Sequence, residues 1–220
     1  MQKIIHISLM IFGLVLLASK SCGPDAEIDR EANLRAEQDT TLMEIKGEFE
    51  SEYLFEDKLM AYGEKAKQKL LDFADYLCLY SDKSMDSLFK QQLKDMAGRL
   101  FINKDAVIQL GVITPDRVGY RESNLSSLLD ELEESKYRSV NFRIYDLKTI
   151  DPLHFESAER YTGKLSCRFI ITGISESDSL LLSETMNRVK MVVSHTSKQF
   201  GSDTSLLIWQ VFLDGIEVID

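Results

Sequence analysis

Ninety consecutive residues, Asp25 to Thr114, contain no proline. A proline inside a helix removes a hydrogen bond and clashes with the preceding turn, so its absence leaves this stretch free to run as helices. Apolar residues recur there at helical spacing. Leu42, Ile45, Phe49 and Tyr53 form one stripe, and Leu59, Tyr62, Ala66, Leu70, Phe73 and Leu77 a second. Leu88, Leu93, Met96 and Leu100 form a third, with Ser84 as its N-cap. Each stripe predicts a helix with one face on a core.

Beyond Gly111 the pattern changes. Pro115, Gly119 and Asn124 mark loops, and Leu125, Leu128, Leu129 and Leu132 predict a short helix capped by Ser123 or Asn124. Four long segments of strand character follow, at 138–149, 161–173, 187–199 and 204–218. Val140, Phe142 and Ile144 alternate in the first, Leu165, Cys167, Phe169 and Ile171 in the second, and Val189, Met191 and Val193 in the third. The last, around Leu206 to Leu213, is apolar on both sides, which predicts a strand inside the sheet or one that faces a second surface. The Ser/Glu/Asp run at 175–179 and Gly201-Ser202-Asp203 read as hairpin turns. The expected fold is therefore α+β: N-terminal helices, 42–134, packed on a curved four-stranded antiparallel sheet, 138–218.

The N-terminus reads as an address rather than structure. Lys3 precedes an apolar run, Ile4 to Ala18, which is shorter than the roughly 20 residues that span a bilayer. Small residues and Cys22 follow. Leu17-Ala18-Ser19-Lys20-Ser21-Cys22 resembles the lipobox of bacterial lipoproteins, which implies cleavage after residue 21 and acylation of Cys22. Residues 22–41 are charged and poor in large apolar side chains, and read as a lipid-attached tether. Removing residues 1–21 takes away two lysines and no acids, so 199 residues carry −12 where the whole chain carries −10. That balance argues against nucleic acid as a partner and leaves membrane attachment to the lipid.

The order of elements, the four long strands and the ending Leu207-Ile208-Trp209-Gln210-Val211 resemble the nuclear transport factor two-like (SnoaL-like) family over roughly residues 50–218. The resemblance implies helices filling the concave side of a strongly curved sheet. It also implies an interior that serves proton-transfer chemistry in some members, and dimerisation through the outer sheet face.

Chemical motifs are sparse. There is no phosphate-binding glycine loop, HExxH, CxxC, calcium loop or nucleophile elbow, so no metal or cofactor is expected. Cys78 and Cys167 read either as two buried thiols or, in an oxidising envelope, as a disulfide. Counting by twos puts Asp146 on the face of Val140, Phe142 and Ile144, and His195 on that of Val189, Met191 and Val193. Each is a titratable group continuing an apolar strip, which makes the two a candidate acid/base pair. The same counting puts Val192, Leu206, Ile208 and Phe212 on the opposite face, as a candidate interface.

The sequence thus points to a lipid-anchored lipoprotein of the cell envelope, at the outer membrane and facing the periplasm. Its folded part reads as a non-catalytic protein-interaction module, docking on another envelope protein, on itself, or within a secretion or surface assembly. The competing reading is a small-molecule-binding or enzymatic domain using His195 and Asp146.

Overall fold

A computed structural model describes residues 53–111, 113, 121–200 and 204–219; the proposed leader, Cys22, the tether and the Leu42–Phe49 stripe lie outside them. Residues Ser51–Asp220 form one compact unit. Among the described residues three helices, α1 (Glu56–Ser81), α2 (Ser87–Gly98) and α3 (Leu125–Glu134), precede most of the sheet. The strands are β1 (Ile108–Leu110), β2 (Arg121–Ser123), β3 (Ser139–Ser157), β4 (Arg160–Ile174), β5 (Ser179–Phe200) and β6 (Thr204–Val218).

The α+β class and the antiparallel run β3-β4-β5-β6 agree with the sequence. The sheet, however, has six strands in the order β2-β1-β6-β5-β4-β3, and it is mixed: β1 runs parallel to β6 and antiparallel to β2. β1 and β2 have three residues each, too short for alternation to register. Backbone bonds rather than pattern hold that edge. Ile102 N–H donates to Leu213 O (2.9 Å), Leu213 N–H to Leu100 O (2.9 Å) and Ile216 N–H to Val107 O (2.9 Å). β6 is consequently interior, as its two apolar faces require. β3 and β5 are also longer than expected, extending to Ser157 and back to Ser179.

α1 is the organising helix. Ala66, Leu70, Phe73 and Leu77 are fully buried, on the stripe read from the sequence. At one end the Tyr62 hydroxyl donates to Trp209 O on β6 (3.0 Å). At the other, Ser81 Oγ donates to Val140 O (2.9 Å) and accepts from Val140 N–H (2.8 Å) on β3. Those anchors are ~28 Å apart along the helix, whereas the strands they join are separated by only ~14 Å, so α1 crosses the sheet diagonally.

α2 is capped by Asp86, whose side chain accepts from Phe89 N–H (2.9 Å), not by Ser84. Its buried residues are Leu93 and Ala97, while Leu88 and Met96 face solvent. The expected stripe was rotated because a 12-residue helix has room for only two or three core contacts. α3 is capped by Asn124, which accepts from Ser127 N–H (2.9 Å). Its four leucines are buried as expected.

The helix-covered sheet face carries the core: Leu165, Cys167, Phe169 and Ile171 of β4, Val189, Met191 and Val193 of β5, and Val211 and Leu213 of β6. Burying side chains of this size contributes about 1.5–3 kcal/mol each. The segment between α3 and β3 packs on β4 closely enough that Gly173 has no space for a Cβ, which would sit 2.6 Å from the ring of Tyr137.

Candidate functional site

The first turns of α1 and a bend in β3 leave a cleft between them. β3 carries register shifts between Thr149 and Asp151 and again between Asp151 and His154, and Pro152 lies between the two. Such irregularities bend a strand. The bend brings β3 down onto Gly163 of β4, where a Cβ would sit 2.6 Å from Met191 Cε and 2.8 Å from Asp151 O. With glycine there, the Met191 side chain lies across the sheet and lines the cleft with Leu59, Met60, Gly63 and Leu153. The cleft encloses about 600 Å³, inside the 300–1,000 Å³ typical of small-ligand sites. Glu56, Glu64 and Thr149 supply its polar atoms. Glu64 is paired with Lys67 at 2.7 Å.

An aromatic row borders the same end of the sheet. Tyr53 meets Phe155 at 6.1 Å between ring centroids, Phe155 meets Tyr161 at 5.8 Å, and Tyr161 meets Trp209 at 5.4 Å, the last two edge-to-face. The imidazole of His195 lies 3.6 Å from Trp209, tilted by 34°. Register explains the row: Tyr161 faces both Phe155 and Val193 across the ladder, and His195 faces Trp209. The chain enters beside it, with Leu54 N–H donating to the Tyr161 hydroxyl (3.0 Å). Tyr161 and Trp209 are buried, whereas Tyr53 and Phe155 stay more than half exposed. Edge-to-face pairs contribute about 0.5–1.5 kcal/mol beyond their buried area, so the row fixes this end of the sheet.

The structure does not bring Asp146 and His195 together. Asp146 sits on a bulge of β3, with φ of 53°, where the register shifts between Tyr145 and Lys148. The bulge breaks the count by twos, and the carboxylate is exposed, 2.7 Å from Arg168. Glu184 holds Arg168 from the other side at 3.1 Å, and hydrogen bonding to Glu184 and the charge of Asp146 raise the guanidinium above its ordinary pKa. Asp146 stands level with Arg168 on β4, whereas His195 follows Ser194, the partner of Arg160. The two levels are about eight residues apart, ~26 Å along a strand. The geometry makes no acid/base pair of them.

The two thiols are free rather than bridged. Cys78 Sγ accepts from Phe142 N–H (3.1 Å) on the edge strand β3, which occupies the sulfur with strand capping. Cys167 is fully buried, and burial pushes its thiol up to about 12. Burial also raises Cys78. Among the described residues no three His, Cys, Asp or Glu side chains converge as metal ligands would.

The candidate interface is on the expected face but is not an exposed patch. Val192 is fully buried, Leu206, Ile208 and Phe212 are half-buried, and Lys69 of α1 covers the Phe212 ring at 5.4 Å. Leu207, on the other face, is an exposed apolar side chain of this strand, at 57%. The sequence reading missed Tyr62, Met60, Gly63, Leu153, Tyr161 and Gly163 as parts of a site. Only Pro152 and Gly163, breakers inside strand segments, signalled the bend that makes it.

No family model matches the chain, and no curated protein matches its sequence. Among solved structures it is similar to a protein assigned as a scytalone dehydratase from Novosphingobium aromaticivorans, at 9% identity over 74% of this chain and 86% of that one, with a TM-score of 0.37. A Catenulispora acidiphila protein in complex with S-DNPA is 12% identical over 72% and 92%, with a TM-score of 0.37. A type 2 hexachlorocyclohexane dehydrochlorinase, LinA, is 11% identical over 72% and 87%, with a TM-score of 0.31. Likenesses this distant carry no argument about activity.

Proposed function

We propose that this chain is a lipid-anchored envelope protein whose folded body binds a small apolar ligand, uncharged or cationic, in the cleft between α1 and the bend of β3. The observation that supports it most is the division of space. The helix-covered face of the sheet is filled by large apolar side chains, including Phe73, Leu165, Phe169, Met191 and Leu213, all fully buried. Open volume with an apolar lining is found instead at the mouth, and the titratable groups among its described lining are Glu56 and Glu64. Such a site holds a ligand by area and excludes anions by charge. Binding, rather than proton transfer, follows from His195 and Asp146 lying outside it and apart. Acylation of Cys22 would place this body at the periplasmic face of the outer membrane, where apolar compounds partition.

The experiment uses residues 22–220 with Cys22→Ser, which contain the whole compact unit. Nile red, a neutral apolar dye, is titrated by fluorescence. A Cβ at Gly63 meets nothing within 4 Å, so Gly63→Phe fills the cleft without a backbone clash. Saturable binding that falls at least tenfold in Gly63→Phe and in Met60→Glu is expected. Absence of saturable binding, or binding indifferent to both variants, overturns the reading.

A second reading, docking of an extended peptide from another envelope protein, is favoured by β6. Among the described residues no strand pairs with its Thr204–Ile208 part on the side away from β5, and an open edge accepts an added strand. Co-purification of a partner that is lost in Ile208→Pro, with dye binding unchanged, would replace the first reading with this one.

A further inference from the structure

A second cavity, about 530 Å³, lies away from the cleft, between the end of α2, the segment 101–106 and the start of α3. Its described floor is apolar: Phe101, Ile108 and Leu125 are buried. Its wall carries Lys94, Arg99 and Lys104 against one carboxylate, Asp95. That is a local excess of two positive charges on a chain of net −10. Among the described residues, none of the three cations makes an ion pair within 4 Å. Arg99, the C-cap of α2, complements that helix's dipole, but Lys94 lies before the last turn and Lys104 stands on a loop, where no helix end calls for them.

The start of α3 adds to the same field. Leu125 and Ser126 line the cavity, and they are the first two residues of the helix. The Asn124 side chain caps Ser127 N–H, which leaves the two earlier N–H groups without an intrahelical acceptor. A helix N-terminus favours negative charge.

The walls are held before any ligand arrives. Segment 100–102 is bonded to Leu213 of β6 in both directions. Asn103 closes a turn through Asp105 N–H (3.0 Å) and Ala106 N–H (3.2 Å). The Phe101 ring is fixed edge-to-face against Phe73 of α1 at 5.1 Å. A site of this rigidity gives up little ordering entropy on binding.

We propose that this cavity binds an amphiphilic carboxylate: one anionic head against Lys94, Arg99 and Lys104, and an apolar body of medium length on Phe101, Ile108 and Leu125. The proposal is independent of the cleft, whose rim is acidic and whose ligand is of opposite preference.

The test uses residues 22–220 with Cys22→Ser and three probes that share a tail and differ in head: decanoate, decanol and decyltrimethylammonium, each below its micelle-forming concentration. Isothermal titration in the Gly63→Phe background, where the cleft is filled, is expected to give saturable decanoate binding, at least tenfold tighter than decanol, with no binding of the cation. Arg99→Glu with Lys104→Glu is expected to weaken decanoate at least tenfold while the melting temperature holds. Gly98→Leu, which meets only Leu125 at ordinary contact distance, is expected to block the cavity without changing charge. Gly63→Phe leaves decanoate unaffected if the two sites are separate. Equal binding of the three heads, or full decanoate affinity in both cavity variants, overturns the proposal.

Discussion

The imidazole of His195 packs on the indole of Trp209 at 3.6 Å, face leaning on face, across the β5–β6 ladder. The contact makes this histidine a packing partner of a buried ring at the end of the aromatic row. Trp209 is the only tryptophan, so its fluorescence reports this one place. We expect Trp209 emission to shift in His195→Ala, which removes the ring packed on the indole, and to stay close to native in His195→Phe. His195→Phe should keep the fold, because an aromatic ring is replaced by another. A native emission spectrum in His195→Ala would detach the imidazole from the indole.

Tyr62 ties the first turns of α1 to β6 through a hydroxyl bond to Trp209 O. Tyr62→Phe removes that bond and keeps the ring. A cost of about 1 kcal/mol in urea unfolding is expected, since an intramolecular hydrogen bond nets about that much. Loss of the tie should also loosen the cleft, so Nile red affinity is expected to fall with stability.

Gly163 has the closest sheet contact at the cleft. Gly163→Ala forces a methyl against the backbone of Asp151 as well as the mobile end of Met191. Overpacking of this kind costs typically about 1–3 kcal/mol. The expected result is a lower melting temperature together with weaker dye binding, because the bend of β3 must lift.

Asp146 holds a positive φ in a residue with a Cβ. Such a conformation costs roughly 1–2 kcal/mol for most side chains. Asp146→Gly should therefore be neutral or stabilising even though it breaks the ion pair with Arg168, whereas Asp146→Val should destabilise. The comparison separates backbone strain from charge pairing, and equal losses in both would assign the position to the ion pair.

Cys167 keeps its proton to about pH 12 when folded, against 9.0 for the ordinary thiol. Between these values the unfolded chain has released a proton that the folded chain retains. Stability is thus intact below pH 9 and declines as pH rises toward 12, by up to about 4 kcal/mol from this group. Tyr80, pushed to about 12 by burial and by its bond to Glu133, acts in the same direction. Urea midpoints at pH 8, 9.5 and 10.5 are expected to fall steeply in the native protein and less steeply in Cys167→Ala. Iodoacetamide at pH 8 should leave Cys167 unlabelled until the protein is unfolded.

Long periodic segments were legible in the sequence because each buries one face. The α1 stripe from Ala66 to Leu77 and the alternation of Leu165, Cys167, Phe169 and Ile171 emerged as read. Legibility failed where periodicity breaks. A bulge at Tyr145–Lys148 turned Asp146 outward, and three-residue strands were too short to see. Cys78 reads from the sequence as a buried thiol but is only half-buried, and its bond from Phe142 N–H was not readable, because that bond depends on where an edge strand passes a helix. The cleft arises between elements distant in sequence, and the second cavity, lined by neighbouring segments from Lys94 to Ser126, depends on how they fold back on one another, so no local pattern marks either. Placement of Lys94, Arg99 and Lys104 around one space is visible only once Leu100 and Ile102 are pinned to β6.

That pinning sets an order on biogenesis. The segment from Leu100 to Ile108 finds its partners at Leu213 and Ile216, more than a hundred residues later. Such distant pairing is slow to form. A nascent chain therefore emerges from the ribosome with its middle unable to settle until the final strand has been made. Truncation before Leu213 would strand the whole polypeptide in an immature, protease-sensitive state.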